Sequence, residues 1–217
     1  MVRILILSIM ILFTLRENEV RADEKTDSIA ENLLKQVVLN DDDALFYREV
    51  IQCGELTKDQ LYVNVNYWFT KYFEDANAVI KLNDREAGCI IGEGLVKNIA
   101  GRTKGFNAYY VSIRPVIRVD FKDYRIRVTV TIPNYEVVRS IGGGTVAFFM
   151  GGGRASNFNE VWSFSTCYPF DIDDKRKGRD FLGPALIMAD ASVKDIIRGI
   201  EDAAKDVADT ICSDDDW

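Results

Sequence analysis

Four arginines in two neighbouring stretches of the chain have the side chains best suited to binding chemistry. Arg114 and Arg118 lie where most odd positions are apolar, and Arg125 and Arg127 lie where the even positions are apolar. Alternation with period two predicts strands whose polar and apolar side chains point to opposite faces. Because a guanidinium group can hold a carboxylate or phosphate through two parallel hydrogen bonds, these four positions are candidates for an anion-binding patch.

The register of the predicted hairpin decides which charges face each other. A two-residue loop at Lys122-Asp123 would pair Phe121 with Tyr124 and set apolar residues opposite one another along both strands. The same register sets Arg118 opposite Arg127, and like charges directly opposed on a sheet are destabilising. The alternative to an anion site is therefore a solvated face whose arginines splay apart or pair with acids of the protein itself, such as those in 171–174.

Several catalytic chemistries are excluded by composition. The chain has no histidine, which removes Ser–His and Cys–His relays and every His-ligated metal site. Its glycine-rich stretches lack the Lys-Ser/Thr ending of a phosphate-binding loop, and none has the spacing of a dinucleotide-binding helix start. No catalytic residue, metal site or cofactor is predicted. A carboxylate pair for hydrolysis stays open, because separation in space decides it.

The first 22 residues have the pattern of a secretion signal. Arg3 is followed by a 12-residue apolar core, Ile4 to Leu15, and Val20-Arg21-Ala22 offers a cleavage site. Twelve residues are too few to span a bilayer comfortably, so no transmembrane segment is expected after cleavage. We expect export to the periplasm or cell surface of a Gram-negative bacterium.

Charge and cysteine content limit the partners and the covalent chemistry. The formal net charge is −7, which makes the protein a poor candidate for nucleic-acid binding. In an oxidising compartment the four cysteines allow three full pairings, and sequence does not choose among these pairings and free thiols. They are Cys53, Cys89, Cys167 and Cys212.

A capped helix between strands is the clearest regular element. Leu45 to Ile51 is predicted to be a strand, and Thr57-x-x-Gln60 is a capping box that opens an amphipathic helix. We expect Trp68, on the apolar stripe of that helix, to be buried against the sheet. Further strands are predicted at 77–82 and 89–99, before the long hairpin of 109–132, in which Pro115 marks a bulge or an unpaired edge.

This order of elements resembles a known family. A strand, a capped helix with Trp68-Phe69, and four strands that include Gly92-Glu93-Gly94 are similar to secreted bacterial domains of unknown function with a fold like the TATA-binding protein (TBP-like). The resemblance spans about 45–135. It implies an α+β two-layer sandwich: a curved antiparallel sheet with helices packed on one face, in the order β-α-β-β-β-β plus a C-terminal helix. It carries over no catalytic residue.

The rest of the chain is divided around this core. The Gly142–Gly153 stretch reads as an excursion or short added strand rather than a partner-binding insertion, 161–168 as a further strand, and Ser192 as the start of a last helix. The predicted divisions are a signal peptide (1–22), an N-terminal helical lead-in (23–43), the TBP-like α/β core (44–135), a Gly-rich and charged extension (136–183), a C-terminal helix packing on the same domain (184–212) and a tail (213–217).

Three functions are compatible with these features. The first is a non-enzymatic secreted or envelope protein that binds a partner or has a structural role. The second is a binder of a small amphipathic or anionic ligand held between helix and sheet. The third is a carboxylate-based hydrolase. A closed and fully packed core would argue against the second, and two carboxylates facing each other across a cleft are required for the third.

Overall fold

Two antiparallel β-sheets with helices packed on one side form the architecture seen in the computed structural model, which describes residues 26–72, 80–104, 107–141, 156–168 and 179–206. The helices are α1 (26–34), α2 (Lys58–Tyr72), α3 (Phe164–Cys167) and α4 (Arg179–Lys205). The strands are β1 (Val38–Leu39), β2 (Leu45–Gln52), β3 (Ile80–Asp84), β4 (Cys89–Glu93), β5 (Val96–Lys104), β6 (Asn107–Ile113), β7 (Val116–Lys122), β8 (Arg125–Ile132), β9 (Tyr135–Ile141) and β10 (Ser156–Trp162).

The predicted fold class is confirmed, with one change in the sheet. Both sheets are antiparallel, and their buried faces share one apolar core with α2 and α4. The prediction of one curved sheet was wrong, because the described strands form a six-stranded sheet in the order β1-β2-β8-β7-β4-β3 and a four-stranded sheet in the order β10-β9-β6-β5.

The passage between the sheets occurs at Arg114-Pro115. The alternating stretch 109–121 is not one strand: β6 pairs with β5 and β9, whereas β7 pairs with β4 and β8. Proline has no N–H to donate to a ladder, and here its carbonyl oxygen accepts a hydrogen bond of 2.9 Å from Gly94 N. The predicted interruption at Pro115 is therefore a switch of sheet.

The β7–β8 hairpin has a register two residues away from the predicted one. Phe121 pairs with Ile126, and Asp123-Tyr124 forms the loop, with Tyr124 at φ 70°. Tyr124 N donates to Leu56 O (2.9 Å), and Tyr124 O accepts from Cys53 N (2.8 Å), so the β2–α2 connection holds the loop. Because a shift of two leaves every side chain on its predicted face, the inside and outside of the hairpin are as expected.

Helix α2 begins as predicted and packs in two directions. Thr57 N donates to Gln60 Oε1 (2.9 Å) and Thr57 Oγ1 accepts from Gln60 N (3.4 Å), which is the reciprocal capping box. Phe69 faces the sheet at Gly92, where a Cβ would collide with Phe69 Cε1. Two residues of the pattern that resembles the family, Phe69 and Gly92, are therefore in contact: the ring from the helix packs on the strand where the strand has no side chain.

Trp68 is buried as predicted, but against a helix rather than the sheet. Only 7% of Trp68 is exposed. A Cβ at Gly199 of α4 would lie 2.8 Å from Trp68 Nε1, and the ring of Tyr72 stacks on the indole with centroids 4.7 Å apart. The missing side chain of Gly199 thus lets α2 and α4 approach closely.

Helix α4 begins earlier than either predicted boundary. It starts at Arg179, and Ser192 lies inside it, donating from Oγ to Met188 O (2.8 Å). Gly183 and Pro184 read as breakers in the sequence, but burial of apolar residues before Ser192 offsets their poor helix propensity. Those buried residues are Leu182, Ala185, Leu186 and Ala189.

The predicted Gly-rich and charged extension (136–183) contributes strands to the four-stranded sheet. Strand β9 pairs with both β6 and β10, and β10 covers 156–162 rather than the predicted 161–168, where α3 follows at Phe164. Several predictions fall outside the described residues: the signal peptide, the Gly142–Gly153 excursion, the acids of 171–174 and the tail.

Three of the cysteines are buried free thiols. They are Cys53, Cys89 and Cys167, while Cys212 lies outside the described residues. Burial raises the pKa of the Cys53 and Cys89 thiols, although a lysine near the first and an arginine near the second act in the opposite direction. A raised pKa disfavours the reactive thiolate.

Candidate binding surface on the outer sheet face

The outer face of the six-stranded sheet carries three of the four predicted arginines. Arg118 on β7, and Arg125 and Arg127 on β8, are exposed, whereas their strand neighbours Val119 and Ile126 are buried on the other face. The alternation that predicted this arrangement is confirmed. We call the outer surface formed by Arg48, Arg118, Arg125 and Arg127 the arginine face.

An internal carboxylate occupies the centre of the arginine face. Asp120 lies directly opposite Arg127, in the place that the predicted register gave to Arg118. Arg118 donates from Nε and Nη2 to Asp120 Oδ1 (3.0 and 2.8 Å), and Arg127 donates from the same two atoms to Oδ2 (3.1 and 2.9 Å). Two guanidinium groups therefore share one carboxylate, and the cluster keeps one net positive charge.

The pKa of Asp120 follows from this geometry. Burial favours the protonated carboxyl, but the hydrogen bonds from Arg118 and Arg127 outweigh it and lower the pKa below its usual value. The depressed pKa adds stability that is present above the unfolded-state pKa and is lost as the pH falls through the folded-state pKa. The contribution is small, because both arginines are about half exposed.

Arg114 lies apart from the other three, at the junction of the two sheets. Its Nε donates to Glu136 Oε1 on β9 (2.8 Å), its Nη2 donates to Glu136 Oε2 (3.3 Å), and its Nε lies 3.4 Å from Glu93 Oε1 on β4. These contacts, the larger being the hydrogen bond to Glu136, raise the pKa of Arg114. Arg114 therefore links the six-stranded sheet, through Glu93, to the four-stranded sheet, through Glu136.

Sequence reasoning missed the contribution of β2 to this surface. Arg48 is opposite Thr129 and Val50 is opposite Arg127 across the β2–β8 ladder. The Arg48 guanidinium carbon lies 4.8 Å from the centre of the Phe46 ring, and Val50 is exposed. A strand at 45–51 sets Arg48 and Val50 on one face, but the strand's position beside β8 did not follow from the sequence.

The positive charge continues to the hairpin end of the sheet. Lys122 is directly opposite Arg125, so the like-charge pair expected between Arg118 and Arg127 occurs here instead. Like charges opposed on a sheet destabilise it by a few tenths of a kcal/mol or more. An anion bound between Lys122 and Arg125 would remove this repulsion.

A concave feature lies on the opposite side of the molecule from the arginine face, between α2 and α4. It is a groove of about 680 Å³ whose lining includes Trp68, Tyr72 and Gly199. It opens between the two helices and not between helix and sheet, where an amphipathic ligand was predicted. Among the described residues no helix is long and apolar enough to cross a membrane, and in the same ranges no group of three or more metal-binding side chains comes together.

The central part of the chain is similar to a known protein family. Residues 47–136 match a family described as "Domain of unknown function (DUF4468) with TBP-like fold", and no curated protein matches. A TBP-like protein from Parabacteroides distasonis is similar at 12% identity, covering 78% of this chain and 97% of that chain, with a TM-score of 0.48. A DUF4468 family protein from Bacteroides ovatus is similar at 13% identity, covering 78% and 91%, with a TM-score of 0.48.

The matched segment runs from β2 into β9. It contains the capped helix, Trp68-Phe69 and Gly92, the residues on which the resemblance was based. Residues 47–136 of this chain therefore carry the predicted domain of unknown function with a TBP-like fold.

Proposed function

We propose that the protein is a non-enzymatic, exported protein of the bacterial envelope that binds an acidic partner protein through the arginine face. The observation that carries the proposal is the sharing of Asp120 by Arg118 and Arg127 on an open sheet face. One carboxylate neutralises only one of the two guanidinium groups. The surplus charge stands on a protein whose formal net charge is −7, so it is a local feature and not a consequence of composition.

The composition of the surface suits a protein partner. Arginine, together with aromatic and aliphatic side chains, is typical of protein interfaces, whereas lysine is depleted there. Phe46 and exposed Val50 lie beside Arg48 and Arg127 on the same face. A partner with carboxylates at its rim would complete the charge pairing that Asp120 begins. We propose no nucleic-acid partner, because the overall negative charge opposes association with a polyanion.

The other two hypotheses have less support. A carboxylate-based hydrolase requires two carboxylates that face each other across a cleft. In the α2–α4 groove, Asp202 lies in the last turn of α4 and Asp206 directly follows that helix, so both carboxylates come from the same side of the groove. The second required space between helix and sheet, where Phe69 and Gly92 are in close contact.

Export has a direct test. We expect the leader to be removed after Ala22, because of its charged start, short apolar run and Val-x-Ala ending. N-terminal sequencing of the protein isolated from its native host should begin at Asp23. Recovery from the envelope fraction with Met1 still in place would contradict the proposal that this segment is a cleaved signal.

Two variants with opposite expected effects on binding test the arginine face. A fluorescent decaglutamate peptide at low ionic strength serves as the acidic probe. Arg118→Ala with Arg127→Ala should weaken its binding by about tenfold or more, since each exposed charge pair is worth about fivefold. Asp120→Asn should instead strengthen binding, because it frees both guanidinium groups, while lowering the free energy of unfolding by about 1 kcal/mol.

A matched control separates local from general electrostatics. Arg85 is also exposed and ion-paired, but its partner is Asp59 of α2 at 3.1 Å, on the helix side of the sheet and not on the arginine face. Arg85→Ala should leave probe binding unchanged within about twofold. Unaltered binding in the double variant would reduce the face to a solvated surface. Loss of stability without loss of binding would show that the two arginines serve only to hold Asp120.

A further inference from the structure

The groove between α2 and α4 has the size and the floor of a small-molecule site. The helices run antiparallel, since Asn64 lies beside Ala204 and Trp68 lies beside Gly199. Between them is a groove of about 680 Å³, within the usual range of ligand pockets, roughly 300–1,000 Å³. Stacked Trp68 and Tyr72 rings form its floor, their centroids 4.7 Å apart. Aromatic faces of this kind bind flat apolar groups.

Exposed apolar surface is concentrated at this groove. Tyr67, Tyr72 and Val63 are each about half exposed, and all three line it. Single exposed apolar side chains are ordinary on a protein surface. Three of them converging on one concavity between two helices mark a place where burying apolar surface against a ligand is favourable.

The charges around the groove select the kind of ligand. Its lining includes two carboxylates, Asp202 and Asp206, and one ammonium group, Lys71. Lys71 Nζ lies 6.0 Å from the centre of the Tyr67 ring, so an aromatic face of the groove already accepts a cation from the protein itself.

The position of the carboxylates at a helix end adds to this selection. Asp202 is in the last turn of α4, which ends at Lys205, and Asp206 follows it. The carbonyl groups at a helix C-terminus carry partial negative charge, so acids there are destabilising and cations are stabilising. Asn64 Nδ2 neutralises part of that charge by donating to Ala204 O (3.5 Å) and Asp206 O (3.1 Å).

We infer that the α2–α4 groove binds a small amphipathic cation, with a flat apolar body over Tyr67 and Tyr72 and an ammonium group near Asp202 and Asp206. The site is separate from the arginine face, which lies on the opposite side of the six-stranded sheet and attracts the opposite charge. A groove between two helices, with an aromatic floor and an acidic end, selects its ligands by charge as well as by shape.

The test uses three probes that share a 2-phenylethyl group and carry a cationic, neutral or anionic head group: 2-phenylethylammonium, 2-phenylethanol and 3-phenylpropionate. Binding to the full chain is measured by calorimetry and by the fluorescence of Trp68, corrected with a Trp162→Phe Trp217→Phe background. We expect the ammonium probe to bind at least about fivefold more tightly than the alcohol, and the carboxylate probe to bind more weakly than either.

Substitutions on α4 locate the charge. Asp202→Asn should weaken binding of the ammonium probe by about fivefold and leave the alcohol unchanged. Glu201→Gln is the matched control: Glu201 is the adjacent residue, pairs with Lys205 instead of lining the groove, and should have no effect. Tyr72→Leu should weaken all three probes together, because it removes one ring of the floor.

Two results would overturn the inference. Equal binding of the three probes would show an apolar surface without charge selection. Retention of the ammonium preference in Asp202→Asn together with Asp206→Asn would place the cation elsewhere. Because both aspartates are exposed, these variants are expected to fold, and unchanged thermal unfolding verifies that a loss of binding is local.

Discussion

Replacing Trp68 with alanine should lower the free energy of unfolding by about 3–5 kcal/mol. The indole is 7% exposed, stacks on Tyr72 and lies against the backbone of Gly199. Its removal would leave an unfilled space between α2 and α4, because the indole is the side chain that packs against Gly199. Equilibrium denaturation in urea, followed by circular dichroism, measures the change.

Tyr67→Ala is the matched control for this prediction. Tyr67 is the preceding residue of the same helix and 55% exposed, so its loss should cost less than about 1 kcal/mol. A change below about 1 kcal/mol for Trp68→Ala would mean that α2 does not pack on α4 in solution. Comparable losses in both variants would show that burial of the indole does not set the cost of its removal.

Gly92→Ala should destabilise the protein by about 2–3 kcal/mol, the upper part of the range for overpacking a core. A Cβ at this position of β4 would collide with Phe69 Cε1 and lie 3.1 Å from Phe69 Cδ1. Phe69 is fully buried, so the ring has little room to withdraw. The strand would have to separate from α2 or the ring would have to leave its rotamer.

A double-mutant cycle isolates this contact. With Phe69→Leu already in place, the additional cost of Gly92→Ala should fall below about 1 kcal/mol, because the smaller side chain leaves space for the methyl group. Additive costs of the two substitutions would show that Gly92 is required for backbone reasons and not for the close approach of a ring. Urea titration of all four proteins gives the coupling energy.

The arginine face shows how far local patterns determine a site. Period-two alternation placed Arg118, Arg125 and Arg127 on the outside correctly, and a register error of two residues did not change that result. The same error did change which charges meet. It paired Arg118 with Arg127, whereas the structure sets Asp120 against Arg127 and lets both arginines share it.

Long-range contacts account for the misplaced hairpin loop and helix start. Asp123-Tyr124 forms the loop because Leu56 and Cys53 bond the backbone of Tyr124 from another part of the chain, and no local turn signal encodes that. Helix α4 begins at Arg179 because its early apolar residues are buried in the core, which outweighs the breakers Gly183 and Pro184.

What the sequence by itself determined is therefore local and periodic. The α+β class, the capping box at Thr57, the burial of Trp68 and Phe69 on α2 and the inner and outer faces of the hairpin strands follow from spacing of residue types over a few turns or strand residues. The resemblance of 45–135 to the TBP-like family also followed from the sequence, because it was based on the order of these elements and on the residues within them. Each depends on geometry that repeats within a single element.

Only the tertiary structure decided what meets across elements. It divided the strands between two sheets at Pro115, set β2 beside β8 so that Arg48 joins the arginine face, and placed Gly199 under Trp68. These outcomes depend on contacts between residues far apart in sequence, whose energies are decided by how the elements pack together and not by the preferences of any one of them.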